Sequence, residues 1–224
     1  MTQERWATVD RYLTELLVPA DAALERALRR NASAGLPAVD VSPTQGMLLY
    51  LLTRMRGARL VLEVGTLGGY STIWLARAVA PSGHVVTLEA SPDHAQVARD
   101  NLAYAGLSGV VDVRVGDALD TLPELAAEPR DPFDVVFLDA DKRHNPEYFE
   151  WAMALTGPGS VIVADNVVRG GQVADATSDD PDVRGARTFL EQLAAEPRVT
   201  ATAVQTVGSK GYDGFAIALV TGSD

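Results

Sequence analysis

The chain has 224 residues, of which 47% are hydrophobic, and its formal net charge at pH 7 is −11. This length suits a single domain with a sizeable core, and the acidic balance disfavours a nucleic-acid partner, because few cations are available to displace counterions. No cysteine is present and no apolar run reaches the ~18 residues of a membrane-spanning helix, so we expect a cytoplasmic protein without disulfides, thiolate chemistry or a membrane partner.

Residues 1–57 are predicted to form a helical extension. Apolar residues recur at helical spacing near its start, and a second helix is predicted from Asp21 to Asn31. Pro43 follows the candidate N-cap Ser42, which predicts the start of a third, strongly apolar helix. We therefore interpret the chain as one domain that consists of this extension and a Rossmann-like core of residues 58–224.

From Leu60 onward, apolar runs that favour strands alternate with segments that favour helices. Runs such as Val135-Val136-Phe137-Leu138 are apolar at every position, which is typical of strands buried on both faces. Regular alternation of this kind predicts a parallel sheet with helices on both sides. The predicted strands are 60–64, 84–89, 111–115, 133–138 and 159–164, and the predicted helices are 70–80, 92–105, 117–127, 146–156 and 182–195.

The end of the chain breaks this alternation. Two strand-like runs, Val199 to Gln205 and Phe215 to Val220, are separated by nine residues that include three glycines. Nine residues are too few for a helical crossover, so these two strands should be antiparallel. The predicted fold is α/β: a Rossmann-like, doubly wound, mostly parallel seven-stranded sheet with an antiparallel last strand, preceded by N-terminal helices.

A glycine-rich turn follows the first predicted strand. Gly65, Gly68 and Gly69 let the backbone turn sharply and approach a ligand closely. Leu67 occupies the place of the second glycine of a dinucleotide fingerprint, and no Gly-Lys-Ser/Thr of a phosphate loop follows. Glu63 before the turn would also repel a phosphate. The turn therefore favours a ligand without phosphate groups.

Glu89 ends the second predicted strand, twenty residues after Gly69. An acid at this place can accept hydrogen bonds from both hydroxyls of a ribose. A ribose without phosphates indicates an adenosyl ligand, and S-adenosylmethionine fits. The alternative is an ordinary strand–turn–helix unit whose acids are solvated.

Polar side chains also end the fourth and fifth predicted strands. Asp139 follows one strand, and Asp165 and Asn166 follow the other. If the strands are neighbours, their ends lie about 4.8 Å apart, and the three side chains could converge on one ion. Carboxylate and amide oxygens suit Mg²⁺, with Mn²⁺ or Ca²⁺ also possible. The alternative is that each carboxylate caps a helix or is solvated.

Lys142 lies three residues after Asp139. A divalent cation beside it would favour the neutral amine, which could then accept a proton from a substrate hydroxyl. The alternative is a solvent-facing lysine near a helix start. Asp141 alternates away from Asp139, so we expect a capping or supporting role for it.

Together these motifs resemble the metal-dependent class I O-methyltransferases of the catechol and caffeoyl-CoA type, especially the small bacterial members. The resemblance runs from about Val39 to Val220 with the motifs in the right order. The motifs that carry it are Glu63-Val64-Gly65, Gly69-Tyr70-Ser71, Glu89, Asp139-Ala140-Asp141-Lys142, Asp165-Asn166 and Asp213-Gly214.

The resemblance implies roles for individual residues. It implies a metal site of Asp139, Asp165 and Asn166, with Lys142 as general base and Asp139 also as a catalytic residue. It further implies a homodimer. The cofactor-binding residues that it implies are Val41, Glu63, Gly65, Tyr70, Ser71, Glu89, Asp117, Ala118 and Asp139.

The expected reaction is methyl transfer from S-adenosylmethionine to a phenolic hydroxyl of a catechol-like or hydroxycinnamoyl-like small molecule. The alternatives are a class I methyltransferase acting on nitrogen or a protein, an NAD-dependent oxidoreductase, and a non-catalytic adenosyl-binding module. The chain departs from the family at Asp141, where catechol enzymes carry an aromatic residue, and near Val207, where they carry an acid. These departures concern the acceptor pocket, so the sequence does not identify the acceptor.

Overall fold

The computed structural model describes residues 2–222, which form eight α-helices, a seven-stranded sheet and two short 3₁₀ segments. The helices are α1 (Gln3–Leu17), α2 (Ala22–Ser33), α3 (Pro43–Arg56), α4 (Tyr70–Val79), α5 (Pro92–Tyr104), α6 (Ala118–Ala127), α7 (Asn145–Leu155) and α8 (Pro181–Ala195). The strands are β1 (Leu60–Val64), β2 (His84–Glu89), β3 (Val111–Val115), β4 (Phe133–Leu138), β5 (Thr156–Asp165), β6 (Val199–Gly208) and β7 (Gly211–Val220). The 3₁₀ segments are Lys142–His144 and Arg169–Ala174.

The sheet has the order β3-β2-β1-β4-β5-β7-β6. Strands β1 to β5 pair in parallel, and β7 is antiparallel to both β5 and β6. This arrangement confirms the predicted doubly wound sheet. Val64 pairs with both Leu88 and Leu138, so the carboxyl ends of the three central strands lie at one edge of the sheet.

The largest differences from the predicted bounds lie in β5, β6 and β7. Strand β5 begins at Thr156 rather than at residue 159, because the turn-like Gly157-Pro158 pair continues the strand. Strand β6 continues to Gly208 and strand β7 already begins at Gly211, so only two residues separate them. The glycines predicted a longer loop, but here they close a tight hairpin, in which Gly211 has a φ of +104°.

Both faces of the sheet are covered by apolar side chains. Alternate residues of β1 point to opposite faces, so that Val61 packs with Ile73 of α4, and Leu62 packs in the core on the α6–α8 side. On that second side, the rings of Phe149 and Phe189 meet edge to face at 5.5 Å. The sheet therefore provides a rigid base for the side chains at its carboxyl edge.

The first three helices lie beside that edge. Helix α1 contacts the β6–β7 hairpin: Gln3 Nε2 donates to the carbonyl oxygens of Gly208 and Ser209, each at 3.0 Å. Helix α3 begins at the Ser42 cap, whose hydroxyl accepts from Gln45 N, as predicted. Within residues 2–222, none of the helices combines the length and apolarity needed to cross a membrane.

Candidate active site

The glycine turn after β1 is held by contacts that exclude side chains. Gly65 has a φ of +101°, and a Cβ there would lie 2.5 Å from the carbonyl oxygen of Asp139. A Cβ on Gly68 would overlap the Asn31 side-chain amide. Gly69 has a φ of +82° and forms the N-cap of α4. Glycine is thus required for the turn to pass close to both the end of β4 and helix α2.

A cavity of about 460 Å³ lies at this edge, where the strand order reverses between β1 and β4. Ligands bind at this position in open α/β sheets. We refer to it as the first cavity. The predicted site residues that line it are Val41, Gly65, Ser71, Glu89, Asp117, Ala118, Asp139, Lys142 and Asn166.

Glu63 and Tyr70 are the predicted cofactor-binding residues that the structure does not place in the wall of the first cavity. Glu63 is fully buried, and its carboxylate accepts hydrogen bonds from Ser71 Oγ at 2.6 Å, Thr72 Oγ1 at 2.5 Å and Thr87 Oγ1 at 2.6 Å. Burial raises the pKa of Glu63 to about 7. Tyr70 packs in the core, with only 3% of its surface exposed. Glu63 therefore supports the cavity by fixing Ser71.

Glu89 stands at the end of β2 with 8% of its surface exposed. Its Oε2 accepts from Leu67 N at 2.7 Å, and its Oε1 accepts from Ser91 N at 2.9 Å. Leu67 has a φ of +49°, an uncommon conformation that the first of these bonds helps to hold. Each carboxylate oxygen has a second lone pair, so Glu89 can also accept hydrogen bonds from a ligand in the cavity.

Asp117 and Ala118 lie after β3. The Asp117 side chain accepts from Leu119 N at 2.9 Å and caps α6. It therefore combines the capping role with a place in the wall of the first cavity.

Lys142 is buried beside Asp139. Its Nζ donates to Asp139 Oδ1 at 2.8 Å, and only 5% of the residue is exposed. The alternative of a solvent-facing lysine is therefore wrong. In this buried ion pair the ammonium of Lys142 lies next to the carboxylate of Asp139, which follows β4.

Asp165 ends β5, next to the end of β4. Burial and the nearby charge of Asp139 raise the pKa of Asp165 to about 6. Asn166 follows with a φ of +55°, and its N–H donates to Asp165 Oδ1 at 2.8 Å. Two carboxylates are thus held close enough to repel each other, and a cation between them would relieve this repulsion.

These donors fit a hard cation. Among residues 2–222, no three carboxylate, imidazole or thiolate side chains gather into a metal-binding group. The candidate set instead combines the two carboxylates of Asp139 and Asp165 with the amide oxygen of Asn166. Such an all-oxygen set suits Mg²⁺, which retains several waters when it binds to proteins.

Asp213 fixes the loop that follows Asn166. Its Oδ1 accepts from the backbone N–H groups of Val168, Arg169 and Gly214 at 3.0, 2.9 and 2.9 Å. The sequence had indicated Asp213 only as part of the family resemblance. The structure gives it a physical role, because three backbone donors on one oxygen hold the last strand against the loop after β5.

Asp141 does not cap the segment that follows it, which corrects one of the two roles expected for it. Its Oδ1 accepts from the Tyr148 hydroxyl at 2.6 Å, and its Oδ2 lies 2.6 Å from His144 Nδ1. Burial and this carboxylate raise the pKa of Tyr148. Asp141 thus ties the loop after β4 to α7.

A second cavity of about 490 Å³ adjoins the first. Its walls include the start of α3, the β6–β7 hairpin, and Asp165 at the end of β5. The residues that line both cavities are Val39, Asp40, Val41, Asn166 and Arg169. A second molecule can therefore lie beside a ligand in the first cavity, next to the candidate metal ligands.

A buried polar network connects these walls, and sequence reasoning did not identify it. Asn31 Nδ2 donates to Asp40 Oδ1 at 2.8 Å, and Asn101 Nδ2 donates to Asn31 Oδ1 at 3.0 Å and to the Gly68 carbonyl at 2.9 Å. Asn31 and Asn101 are almost fully buried within helices. An asparagine at a helix position that faces the core is the sequence signal that could have pointed to them.

Comparison with known proteins identifies the family. The family described as O-methyltransferase matches residues 15–218. A catechol O-methyltransferase of Niastella koreensis is 49% identical over 220 residues, which cover 98% of this chain and 100% of that protein. The structure of an O-methyltransferase from Bacillus cereus in complex with SAH is 58% identical, with a TM-score of 0.97 over 98% of this chain and 100% of that one. The O-methyltransferase TomG of Streptomyces achromogenes, in complex with SAM, is 53% identical, with a TM-score of 0.96 over 99% and 100% of the two chains. The chain therefore belongs to the O-methyltransferase family of enzymes.

Proposed function

We propose that the protein transfers a methyl group from S-adenosylmethionine to a phenolic hydroxyl of a catechol-like or hydroxycinnamoyl-like molecule, with the help of Mg²⁺. The observation that carries this proposal is that two cavities meet at the end of β5, where Asn166 lines both. Related structures hold SAH or SAM, and one curated relative is a catechol O-methyltransferase, which support the same assignment.

The first cavity would hold the cofactor. Glu89 has free lone pairs for the two ribose hydroxyls, and Asp117 and Ala118 would border the adenine. Gly65 and Ser71 would border the methionine part, since both line the cavity beside the turn. No cationic phosphate-binding loop is present in this turn, in agreement with a ligand that carries no phosphate.

Asp139, Asp165 and Asn166 would hold the metal, and Mn²⁺ or Ca²⁺ could use the same ligands. When bound, a divalent metal supplies positive charge that stabilises a phenolate. Lys142 Nζ lies 2.8 Å from Asp139 Oδ1. After the ammonium has lost one proton to solvent, its neutral amine would be placed to accept the proton of a hydroxyl beside that carboxylate. The second cavity, which Asp165 also lines, would hold the aromatic ring.

Orientation should contribute more to the rate than ionisation does. A phenol has a pKa near 10, and lowering it by three units corresponds to about 4 kcal/mol. Correct positioning of two reactants can contribute roughly 7–11 kcal/mol. The adjoining cavities and the fixed strand ends are the parts of this chain that would supply the positioning.

Removal of the metal tests the proposal directly. With labelled S-adenosylmethionine and a panel of catechols, hydroxycinnamates and their thioesters, EDTA should abolish methyl transfer and added Mg²⁺ should restore it. The reason is that the phenolate would lose both its charge stabilisation and its anchor. Full turnover in metal-free buffer would contradict the metal site, and cofactor binding without turnover on any acceptor would indicate a non-catalytic adenosyl-binding module.

A homodimer is the second part of the proposal. Val9, Tyr12 and Leu16 lie on one face of α1 and are 51%, 63% and 64% exposed. Leu51 and Met55, one turn apart on α3, are 46% and 73% exposed. Exposed apolar faces of this kind favour burial against a second copy of the chain.

A further inference from the structure

The two lysines of this chain both lie at the candidate site. Seventeen of its 19 basic residues are arginines, and the lysines are Lys142 and Lys210. Lys142 lines the first cavity and Lys210 lines the second. A lysine provides a compact ammonium on a flexible stem, which can be directed to one acceptor. The proposed reaction uses Lys142 as the general base and does not involve Lys210.

Lys210 is an incompletely compensated cation. It lies in the two-residue tip of the β6–β7 hairpin, and its Nζ donates to the main-chain carbonyl of Asp40 rather than to a carboxylate. Burial lowers the pKa of Lys210, and the more distant charges of Asp40, Asp139 and Asp165 do not offset that effect. An ammonium has three N–H donors, so two remain beyond the bond to Asp40.

The acids that share the second cavity already accept hydrogen bonds from the protein. Asp10 Oδ2 accepts from Ser209 N at 2.7 Å, and Asp40 Oδ1 accepts from Asn31 Nδ2 at 2.8 Å. Asp213 accepts from three backbone N–H groups. Asp165 belongs to the candidate metal site. Lys210 therefore gives the second cavity a cationic donor that is bonded to a carbonyl rather than to a carboxylate, whereas the other cation in its wall, Arg169, faces Asp182.

We propose that Lys210 binds a carboxylate on the phenolic acceptor and thereby selects acidic acceptors over neutral ones. This inference rests on the proposed function of the site. The second cavity extends from Asp165 and Asn166 to the hairpin tip, and apolar side chains between them can contact an aromatic ring. A ring whose hydroxyls face the metal ligands can thus direct a carboxylate to Lys210. The hydrogen bond would be charge-assisted, which makes it stronger than one between neutral groups.

A purely structural role for Lys210 makes a different prediction. Its bond to Asp40 joins the hairpin to the segment 39–41, which lines both cavities. If this were its whole role, replacement of Lys210 would slow the reaction of every acceptor by a similar factor. Selectivity between acceptors, rather than the absolute rate, therefore separates the two roles.

Matched acceptor pairs provide the test. We would measure kcat/KM at saturating Mg²⁺ for 3,4-dihydroxybenzoate and its methyl ester, and for caffeate and its methyl ester, because the two acids place the carboxylate at different distances. The acid-to-ester ratio in Lys210→Met should fall about tenfold, or about 1.4 kcal/mol, for at least one pair. Lys210→Arg should retain most of the ratio. Comparison of ratios between variants cancels the intrinsic reactivity of each phenol.

Arg169 provides the control. It lines the same cavity, but its guanidinium faces Asp182, with Nη2 at 3.7 Å from Oδ2. Arg169→Met should leave the acid-to-ester ratio at its wild-type value. An unchanged ratio in Lys210→Met, or a loss of the ratio in Arg169→Met alone, would overturn the inference while the proposed function stands. If the wild type methylates neither acids nor esters, both are overturned.

Discussion

Glu63 is a buried carboxyl group whose protonation is linked to folding. Burial raises its pKa to about 7, from an ordinary value of 4.5. Three hydroxyl groups, those of Ser71, Thr72 and Thr87, donate to it, and they connect β1 to α4 and β2. The folded protein therefore binds a proton here more tightly than the unfolded chain does.

This linkage predicts a pH dependence of stability. Between pH 4.5 and about 7 the unfolded chain loses the Glu63 proton while the folded protein retains it, so the free energy of unfolding should decrease as pH rises. Glu63 should account for a decrease of about 3 kcal/mol across this range. In Glu63→Gln this contribution should be absent, and urea denaturation of both proteins at several pH values measures it. Parallel profiles for the two proteins would show that Glu63 does not titrate as inferred.

The position of a single residue could be predicted where it follows directly from strand geometry. Asp139, Glu89 and Asp165 end or follow strands, so their common location at the carboxyl edge could be predicted. Glu63 could have been placed on the same basis. It shares a face with Val61, since side chains alternate along a strand, and this face packs against α4, whose Ser71 and Thr72 bind the Glu63 carboxylate.

At the scale of elements, the turn from β1 to α4 is the most constrained connection of the site. Gly65→Ala should destabilise the protein by about 1–3 kcal/mol, because alanine is strained at positive φ. Its Cβ would also press on the Asp139 carbonyl. Thermal unfolding and calorimetric titration with S-adenosylhomocysteine should show loss of both stability and cofactor affinity.

Gly109→Ala provides the matched control for this turn. Gly109 lies in a surface turn without positive φ, and a Cβ at this position would have no neighbouring atom within 4 Å. The variant should therefore retain both the melting temperature and the affinity of the wild type. Equal behaviour of the two alanine variants would mean that the β1–α4 turn tolerates a side chain.

Continuous apolar runs made the central elements predictable. The bounds of β1, β2, β3 and β4 coincide with the predicted ranges. Mostly apolar runs mark β1, β2 and β4, as is typical of buried parallel strands, whereas the edge strand β3 alternates valines with polar residues. The hairpin was less predictable, since Thr206 to Gly214 contains turn residues that nevertheless belong mostly to β6 and β7 and pair with each other. Lys210 and Asp40 escaped prediction because the hairpin tip and segment 39–41 meet only in the folded chain.

At the scale of the whole molecule, the exposed apolar faces of α1 and α3 predict self-association. Tyr12→Glu and Leu16→Glu should shift the mass measured by light scattering from dimer towards monomer, because a buried carboxylate without a partner is costly. Both residues are more than half exposed in the single chain, so its fold should be retained.

Arg11→Glu is the control for this experiment. Arg11 is an exposed residue on another face of α1, and its replacement adds negative charge without placing it among the apolar side chains. It should leave the mass unchanged. A wild-type mass equal to that of a monomer would contradict the proposed dimer.

The shared wall between the two cavities has a thermodynamic consequence. Val39, Asp40 and Val41 belong to one short segment that borders both, so a ligand that orders this segment prepares it for the other ligand. Coupling between two binding equilibria is reciprocal. If a bound donor raises the affinity of the protein for the acceptor, a bound acceptor must raise its affinity for the donor by the same factor. After methyl transfer, the demethylated donor would then dissociate more readily once the molecule in the second cavity has left.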